Sequence, residues 1–178
     1  SVKKFNFYDL DKFMEGRYRK GHFNGVATIV SHLFNIIKPK NAYFGEKDFQ
    51  QLRIIQELVS GNNIPVNVIG CQTIREKDGL ALSSRNTKLS KHNRKIASKV
   101  YEIINYVRIN FDSMSFLEIY TYVDKFFDNI LEIELEYFTI AESKSLIPVK
   151  EKTINKQYRA FIAVKLQGVR LIDNIALN

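Results

Sequence analysis

At 178 residues the chain is long enough for one substantial core or two small domains, and its 45% hydrophobic and 26% charged content is ordinary globular usage that excludes a disordered chain. No apolar run approaches the about 20 residues of a bilayer span and no signal-peptide pattern opens the chain, so the expectation is a soluble, cytoplasmic protein without a membrane partner. The net charge of +8, from 27 Lys+Arg against 19 Asp+Glu, suits an anionic small molecule as well as nucleic acid; the basic residues are thinly spread, densest at Arg17, Arg19 and Lys20 and then at Lys88, Lys91, Arg94 and Lys95, with few aromatics among them, which argues against a dedicated nucleic-acid module.

In chain order, Val26, Ile29, Val30, Leu33 and Ile37 recur at helical spacing over residues 21–37, and Lys38-Pro39 stops the run. Residues 42–44 predict a short buried strand that Gly45 turns, and Leu52, Ile55 and Val59 carry a second helix to Gly61-Asn62. Residues 65–69 predict a second strand, after which the sole cysteine, Cys71, reads as core filler rather than a nucleophile. Helix, strand, helix, strand is the order of a parallel α/β unit. A linker is expected over residues 73–78, giving domains at residues 1–75 and 76–178.

Beyond the linker the pattern changes. Ser90 caps a predicted helix carrying Ile96, Val100, Ile103, Ile104 and Val107, and Ser115-x-x-Glu118 forms a capping box for another with Ile119, Val123, Phe126 and Phe127. Ile133, Leu135 and Tyr137 alternate with Glu132, Glu134 and Glu136 as in a half-buried strand, and residues 158–166 and 169–172 flank a tight hairpin turn at Gln167-Gly168. These strands are grouped and antiparallel, so the fold class is α/β followed by a small α+β domain. The first part offers only two parallel strands, and two alone leave both edges bare, as though half of a doubly wound sheet were missing.

Two runs carry phosphate-handling chemistry. In the first, a strand, Gly45 and a helix opening near Lys47-Asp48 place backbone N–H groups at the strand's carboxyl end, with Lys47 as a mobile positive charge and Gln51 four residues on as an amide suited to a hydroxy acid. On spacing alone a solvated first turn, with Glu46 and Asp48 favouring the helix dipole, is the commoner explanation. In the second, Asp78-Gly79 marks a turn and Ser83-Ser84-Arg85-Asn86 offers hydroxyls, amides and a guanidinium to an anion, although it also reads as a plain polar loop.

Together, GHFNGVATIVSHLFNIIKPKNAYFGEKDFQQL and TIREKDGLALSSRN resemble the pantothenate synthetase (pantoate–β-alanine ligase) family, densely over residues 16–89 and more loosely beyond. The resemblance implies the second half of a Rossmann-like nucleotidyltransferase domain followed by an α+β lid. It implies ATP and phosphate-bound Mg2+ as cofactors, pantoate and β-alanine as substrates, a pantoyl-adenylate intermediate, and a homodimer when full length. Carried over, Gly45, Glu46, Lys47 and Asp48 match the ATP-binding segment, with Lys47 on the phosphates and Gly45 and Asp48 toward the ribose. Gln51 matches the glutamine that holds pantoate, with Ile29 and Val30 at apolar positions of the pantoate pocket. Ile74 matches the apolar residue against adenine. Leu82, Ser83, Ser84 and Arg85 match the loop resembling the KMSKS signature that embraces the triphosphate, and Lys47, Ser83, Ser84 and Arg85 take the catalytic roles. No residue is assigned as a metal ligand.

The sequence departs from the family at Leu82, often Met, and at Lys20, commonly Pro. It also lacks the family's HIGH-like histidine pair: His22, His32 and His92 form no His-x-x-His cluster, and His22 is assigned a structural place at a helix start. The expectation is therefore a C-terminal portion of the enzyme that is inactive alone. The competing reading is a non-catalytic basic module that binds nucleotides or RNA, and a third is an enzyme whose other half is supplied by a second subunit.

Overall fold

The computed structural model describes residues 4–178; residues 1–3, which the expected first domain includes, lie outside the described residues. The chain forms two compact units, one running to Gln72 and including the short segment Lys144–Ile147, the other Thr73–Ser143 with Pro148–Asn178.

The first unit contains α1 (Met14–Tyr18), α2 (His22–Ile37), β1 (Asn41–Gly45), a 3-10 turn (Glu46–Asp48), α3 (Phe49–Gly61) and β2 (Asn67–Cys71). β1 and β2 pair in parallel from Asn41 opposite Asn67 to Gly45 opposite Cys71. α3 packs against both strands and against α2, burying Leu52, Ile54, Ile55 and Leu58. α2 stops where expected, with Lys38 in the left-handed region closing its end before Pro39.

In this unit the structure departs from the sequence pattern at three places. α2 buries Phe23, Ala27 and Phe34, while Ile29, Leu33 and Ile37 of the predicted apolar stripe are exposed. Periodicity identifies an apolar stripe but carries no information about which neighbour covers it. Neither strand is buried: β1 alternates exposed and half-buried, because α3 covers one side of a two-stranded sheet. Cys71 is exposed rather than core, since it ends β2 where the pairing stops.

The second unit is an antiparallel sheet in the order β3 (Ile133–Glu142), β4 (Tyr158–Leu166), β5 (Val169–Ala176), packed against α5 (Lys99–Asn110) and α6 (Phe116–Asp128) and preceded by a 3-10 helix (Ser84–Lys88) and α4 (Lys91–Ala97). Val100, Ile103, Ile104 and Val107 of α5 and Ile119 and Val123 of α6 meet Ile140, Ile162 and Leu166 of the sheet in one core. The hairpin turn falls at Gln167-Gly168, both with positive φ, and pairs Leu166 with Val169. The capping box forms as written in the sequence: the Ser115 hydroxyl accepts from the Glu118 N–H, and the Glu118 carboxylate accepts from the Ser115 N–H.

Two elements differ from expectation. The helix begun at Ser90 is interrupted at Ser98, whose hydroxyl donates to the Lys95 carbonyl at 2.7 Å, the local competition for backbone groups that serine brings to a helix. In β3 the register shifts between Leu135 and Tyr137. The bulge moves the buried positions from Ile133 to Phe138 and Ile140, so the strand outruns its early alternation and reaches Glu142.

Candidate nucleotide and substrate site

In the first unit, Gly45 ends β1 opposite Cys71, and the 3-10 turn Glu46–Asp48 follows before α3 begins. The segment thus lies at the carboxyl ends of both parallel strands, where α/β sheets bind ligands. Gly45 is in ordinary extended conformation (φ −68°, ψ 132°) and a Cβ there would meet nothing within 4 Å, so its value is open surface for an incoming group rather than a special backbone angle. At Gly70 of β2 a Cβ would come within 3.0 Å of Leu52 Cδ2 and 3.3 Å of Glu46 Oε1, so glycine is what lets Glu46 lie against the strand. Lys47 is partly buried, its Nζ 3.9 Å from the Asp48 carboxylate.

Lys47 precedes α3 and stands in the 3-10 turn, so the four-residue spacing to Gln51, which on a continuous helix would put both on one face, does not do so here. Gln51 is half-buried in the first turn of α3. Its neighbour Gln50, which no sequence signal singled out, is buried and ties down the N-terminal segment. Its Oε1 accepts from the Glu15 N–H at 3.0 Å, and its Nε2 donates to the carbonyls of Leu10 at 2.7 Å and Phe13 at 2.9 Å. Consecutive residues on a helix point to different sides, so Gln51 does not share the contacts of Gln50. On α2, Ile29 is exposed and Val30 half-buried. His22 opens the same helix behind Gly21, and burial, then the nearby Arg19 charge, lowers its pKa below the usual histidine value.

In the second unit, the Leu82 N–H donates to the Ile74 carbonyl at 2.9 Å, which sets these two exposed apolar residues side by side on the backbone. Ser83 caps the short 3-10 helix, its hydroxyl accepting from the Arg85 N–H at 3.2 Å. Ser84 is exposed, and Arg85, also exposed, donates one guanidinium N–H to the Arg170 carbonyl at 3.1 Å. Gly79, with φ of +88°, shapes the preceding turn; a Cβ there would stand 1.8 Å from the Tyr101 ring, so no other residue fits. Arg75 steadies that turn by donating to the Gly79 carbonyl at 3.0 Å while pairing with the buried Asp173 carboxylate at 2.6 Å.

Two further residues support this loop in a way the sequence does not show, Asn86 and Arg94. Asn86 is buried and its amide donates to Glu76 at 3.0 Å and to the Ala81 carbonyl at 3.1 Å. Arg94 of α4 donates to Glu76 at 2.6 Å and to both oxygens of Asp78 at 2.7 and 3.1 Å. Hydrogen bonds from Arg94 and Asn86 hold the Glu76 carboxyl below its ordinary range, and Arg94 does the same for Asp78. In the sequence Asn86 stood out as the end of the Ser-Ser-Arg-Asn run, Asp78 as a turn residue and Arg94 as part of the second basic cluster, and nothing there linked the three. Among the described residues no group of three or more His, Cys, Asp or Glu is placed to hold a metal ion, and no helix is long and apolar enough to cross a membrane.

A glycine-led segment at the carboxyl ends of parallel strands, and a separate α+β unit bearing a Ser-Ser-Arg loop, define a nucleotidyltransferase-like fold. The Pantoate-beta-alanine ligase family model matches residues 3–176, and the chain belongs to that family. It is 49% identical over 176 residues to the pantothenate synthetase of Christiangramia forsetii and 46% identical over 175 residues to that of Flavobacterium psychrophilum, covering 99% and 98% of this chain and 62% of each relative. The crystal structure of pantothenate synthetase from Thermus thermophilus superposes with a TM-score of 0.88 at 37% identity, over 96% of this chain and 61% of that one. The pantoate-beta-alanine ligase of Francisella tularensis, solved in complex with Beta-gamma ATP and β-alanine, superposes with a TM-score of 0.72 at 33% identity, over 99% of this chain and 57% of that one. The chain therefore spans about three-fifths of the length of these relatives.

Proposed function

We propose that the chain serves the ATP-dependent condensation of pantoate with β-alanine, and the observation that carries this reading is the family match along nearly the whole chain, including both phosphate-handling runs. In the first step a carboxylate oxygen of pantoate attacks the α-phosphorus of ATP, and pyrophosphate leaves. In the second the β-alanine amine attacks the acyl carbon of pantoyl adenylate, losing a proton as the amide forms and AMP departs. The Francisella relative's complex with an ATP species and β-alanine supports two of these three substrates for this chain.

The residues take roles their chemistry suits. Lys47 neutralises charge that builds on the phosphates, where a mobile ammonium is most useful. Gly45 leaves room for the nucleotide to approach the strand ends, with Glu46 and Asp48 beside it and Asp48 toward the ribose. Ser83, Ser84 and Arg85 grip the triphosphate through hydroxyls, amides and a guanidinium, while Ile74 and Leu82 offer apolar surface next to that loop, Ile74 to the adenine. Gln51 donates to and accepts from pantoate, and Ile29 and Val30 supply its apolar contacts. Magnesium on the phosphate oxygens would add positive charge. A cation held mainly by phosphates needs no cluster of protein carboxylates.

Titration calorimetry with magnesium-ATP, set against single-stranded RNA, tests this reading. Saturable ATP binding that Lys47→Ala weakens by about 10-fold, a loss typical of one charge-assisted contact, supports it. Salt-sensitive RNA binding with no response to ATP would replace it with the non-catalytic module.

A further inference from the structure

Ser83, Ser84 and Arg85 are half-buried or exposed, and their own contacts are few: the Ser83 hydroxyl takes the Arg85 N–H, and Arg85 reaches the Arg170 carbonyl. The next residue, Asn86, is held far more firmly. Its N–H donates to the Ser83 carbonyl at 3.0 Å and so closes the turn around Ser84 and Arg85. Its side chain is buried and fixed by the Glu76 carboxylate at 3.0 Å and the Ala81 carbonyl at 3.1 Å. The second oxygen of Glu76 accepts from Arg94 at 2.6 Å, and Arg94 forks onto Asp78 at 2.7 and 3.1 Å. Asp78 in turn accepts from the Leu80 N–H at 3.3 Å. Arg94 belongs to α4, whose start is fixed by the Ser90 hydroxyl accepting from the Asn93 N–H at 3.2 Å.

One guanidinium therefore joins the helix after the loop to both carboxylates of the turn before it, and through Glu76 to the side-chain amide of Asn86, the residue whose backbone N–H closes the loop. Arg94 suits this better than a lysine would, because its planar fork serves two carboxylates at once in fixed directions. Arg94 is 24% exposed and its partners Glu76 and Asp78 are 33% and 41% exposed, so as isolated surface pairs they would contribute little, and what the fork adds is a fixed direction between the helix and the turn.

We propose that Arg94 is a positioning residue for the phosphate-binding loop, acting through Glu76 on Asn86 so that Ser83, Ser84 and Arg85 are preformed for the ATP triphosphate. This rests on the assignment of that loop to ATP. Arg94 itself is bonded to the two carboxylates, and its effect passes through the backbone turn. Preorganised donors lose less freedom when an anion binds, so a loosened loop costs affinity even though every phosphate-contacting group remains.

The test combines amide hydrogen exchange with magnesium-ATP titration of the full chain. In Arg94→Met the Arg85 and Asn86 amides are expected to exchange at least ~10-fold faster while the Ile162 amide of β4 is unchanged, the signature of a local rather than a global opening. ATP affinity falls with them, by about 10-fold. Arg94→Lys recovers part of both effects, and Glu76→Ala reproduces the faster exchange by cutting the relay at its middle. The Arg94→Met/Glu76→Ala double variant is no worse than either single one, as two links of one chain require. Lys165→Met, which removes a more exposed ion pair, to Glu134 at 2.9 Å, on the sheet of the same unit, leaves the loop amides unchanged.

Unchanged exchange at Arg85 and Asn86 in both Arg94→Met and Glu76→Ala overturns the inference, even if ATP binding weakens, because the loss would then be one of charge. Arg85→Gln separates this inference from the reading beneath it. If that variant binds ATP as the wild type does, the triphosphate assignment fails, while the exchange data still decide whether Arg94 sets the loop.

Discussion

The two sheets of this molecule bury their strands to very different degrees. In the second unit β4 lies between β3 and β5, and all of Tyr158–Leu166 except Arg159 and Lys165 is buried. In the first unit no residue of β1 or β2 is buried, and Ile29, Leu33, Ile36, Ile37 and Tyr43 are exposed. The difference follows from topology more than from composition. Three antiparallel strands with helices across one face can close a core, whereas two parallel strands lean on a single helix and leave a face and both edges open. The side chains proposed to handle charged ligands are open to solvent in either case. In the first unit Lys47 and Asp48 come at the end of an open sheet, and in the second Ser84 and Arg85 come from a short loop beside a dense core.

The largest effect that would test this contrast is in the second core. Ile104 of α5 is wholly buried among the residues of that core. Ile104→Ala should cost about 2–5 kcal/mol, the transfer loss plus the cavity left in a close-packed site. Urea unfolding followed by circular dichroism measures it. A loss below about 1 kcal/mol would mean that the site collapses freely and that the second unit is not the rigid half.

Legibility in the sequence divides in the same way, between local and distant causes. The Gln167-Gly168 turn, the Ser115–Glu118 box and the stop at Lys38-Pro39 are decided within a few residues, and the structure has all three. The bulge at Glu136 is not local in that sense, since the period-two pattern runs through it unbroken, and the break at Ser98 has a local cause that the apolar pattern does not register, since helix-forming residues continue on both sides. Cys71 and the α2 stripe were misplaced because an apolar residue announces that it suits burial, not that a partner reaches it. Around the candidate site, the two runs proposed to handle phosphate stood out as residue types at a turn. The Glu76–Arg94–Asp78 network did not, since it joins residues 16 and 18 apart through side-chain geometry that no periodicity encodes.

An intermediate effect comes from the capping box of α6, a local feature on the well-packed unit. Ser115→Ala removes the hydroxyl that accepts from the Glu118 N–H at 3.2 Å and should cost about 1 kcal/mol in urea unfolding at neutral pH. Its pH dependence has a definite sign. Hydrogen bonds from the Ser115 hydroxyl, then from its backbone N–H, hold the Glu118 carboxyl below its unfolded value of 4.5. The folded state therefore binds this proton less readily than the unfolded chain, and the contribution is complete above pH 4.5 and lost as pH falls through the lowered pKa. The gap between wild type and Ser115→Ala should narrow on acidification below pH 4.5. A gap constant down to the acid transition would show that the carboxylate takes no part in the cap.

The smallest effect bears on the open unit. Ile36 of α2 is 78% exposed, and isoleucine and serine have similar helix propensities, so Ile36→Ser changes little besides apolar surface. The expected change in unfolding free energy is within about 0.5 kcal/mol. Ile36 and Ile104 are the same side chain on two helices, one exposed and one at 0% exposure, so burial dominates the difference between their two substitutions. A loss above about 1 kcal/mol for Ile36→Ser, the scale of a buried apolar group, would show that α2's outer face is covered in solution. The contrast between an open and a closed unit would then hold for the isolated fold and fail for the assembled protein.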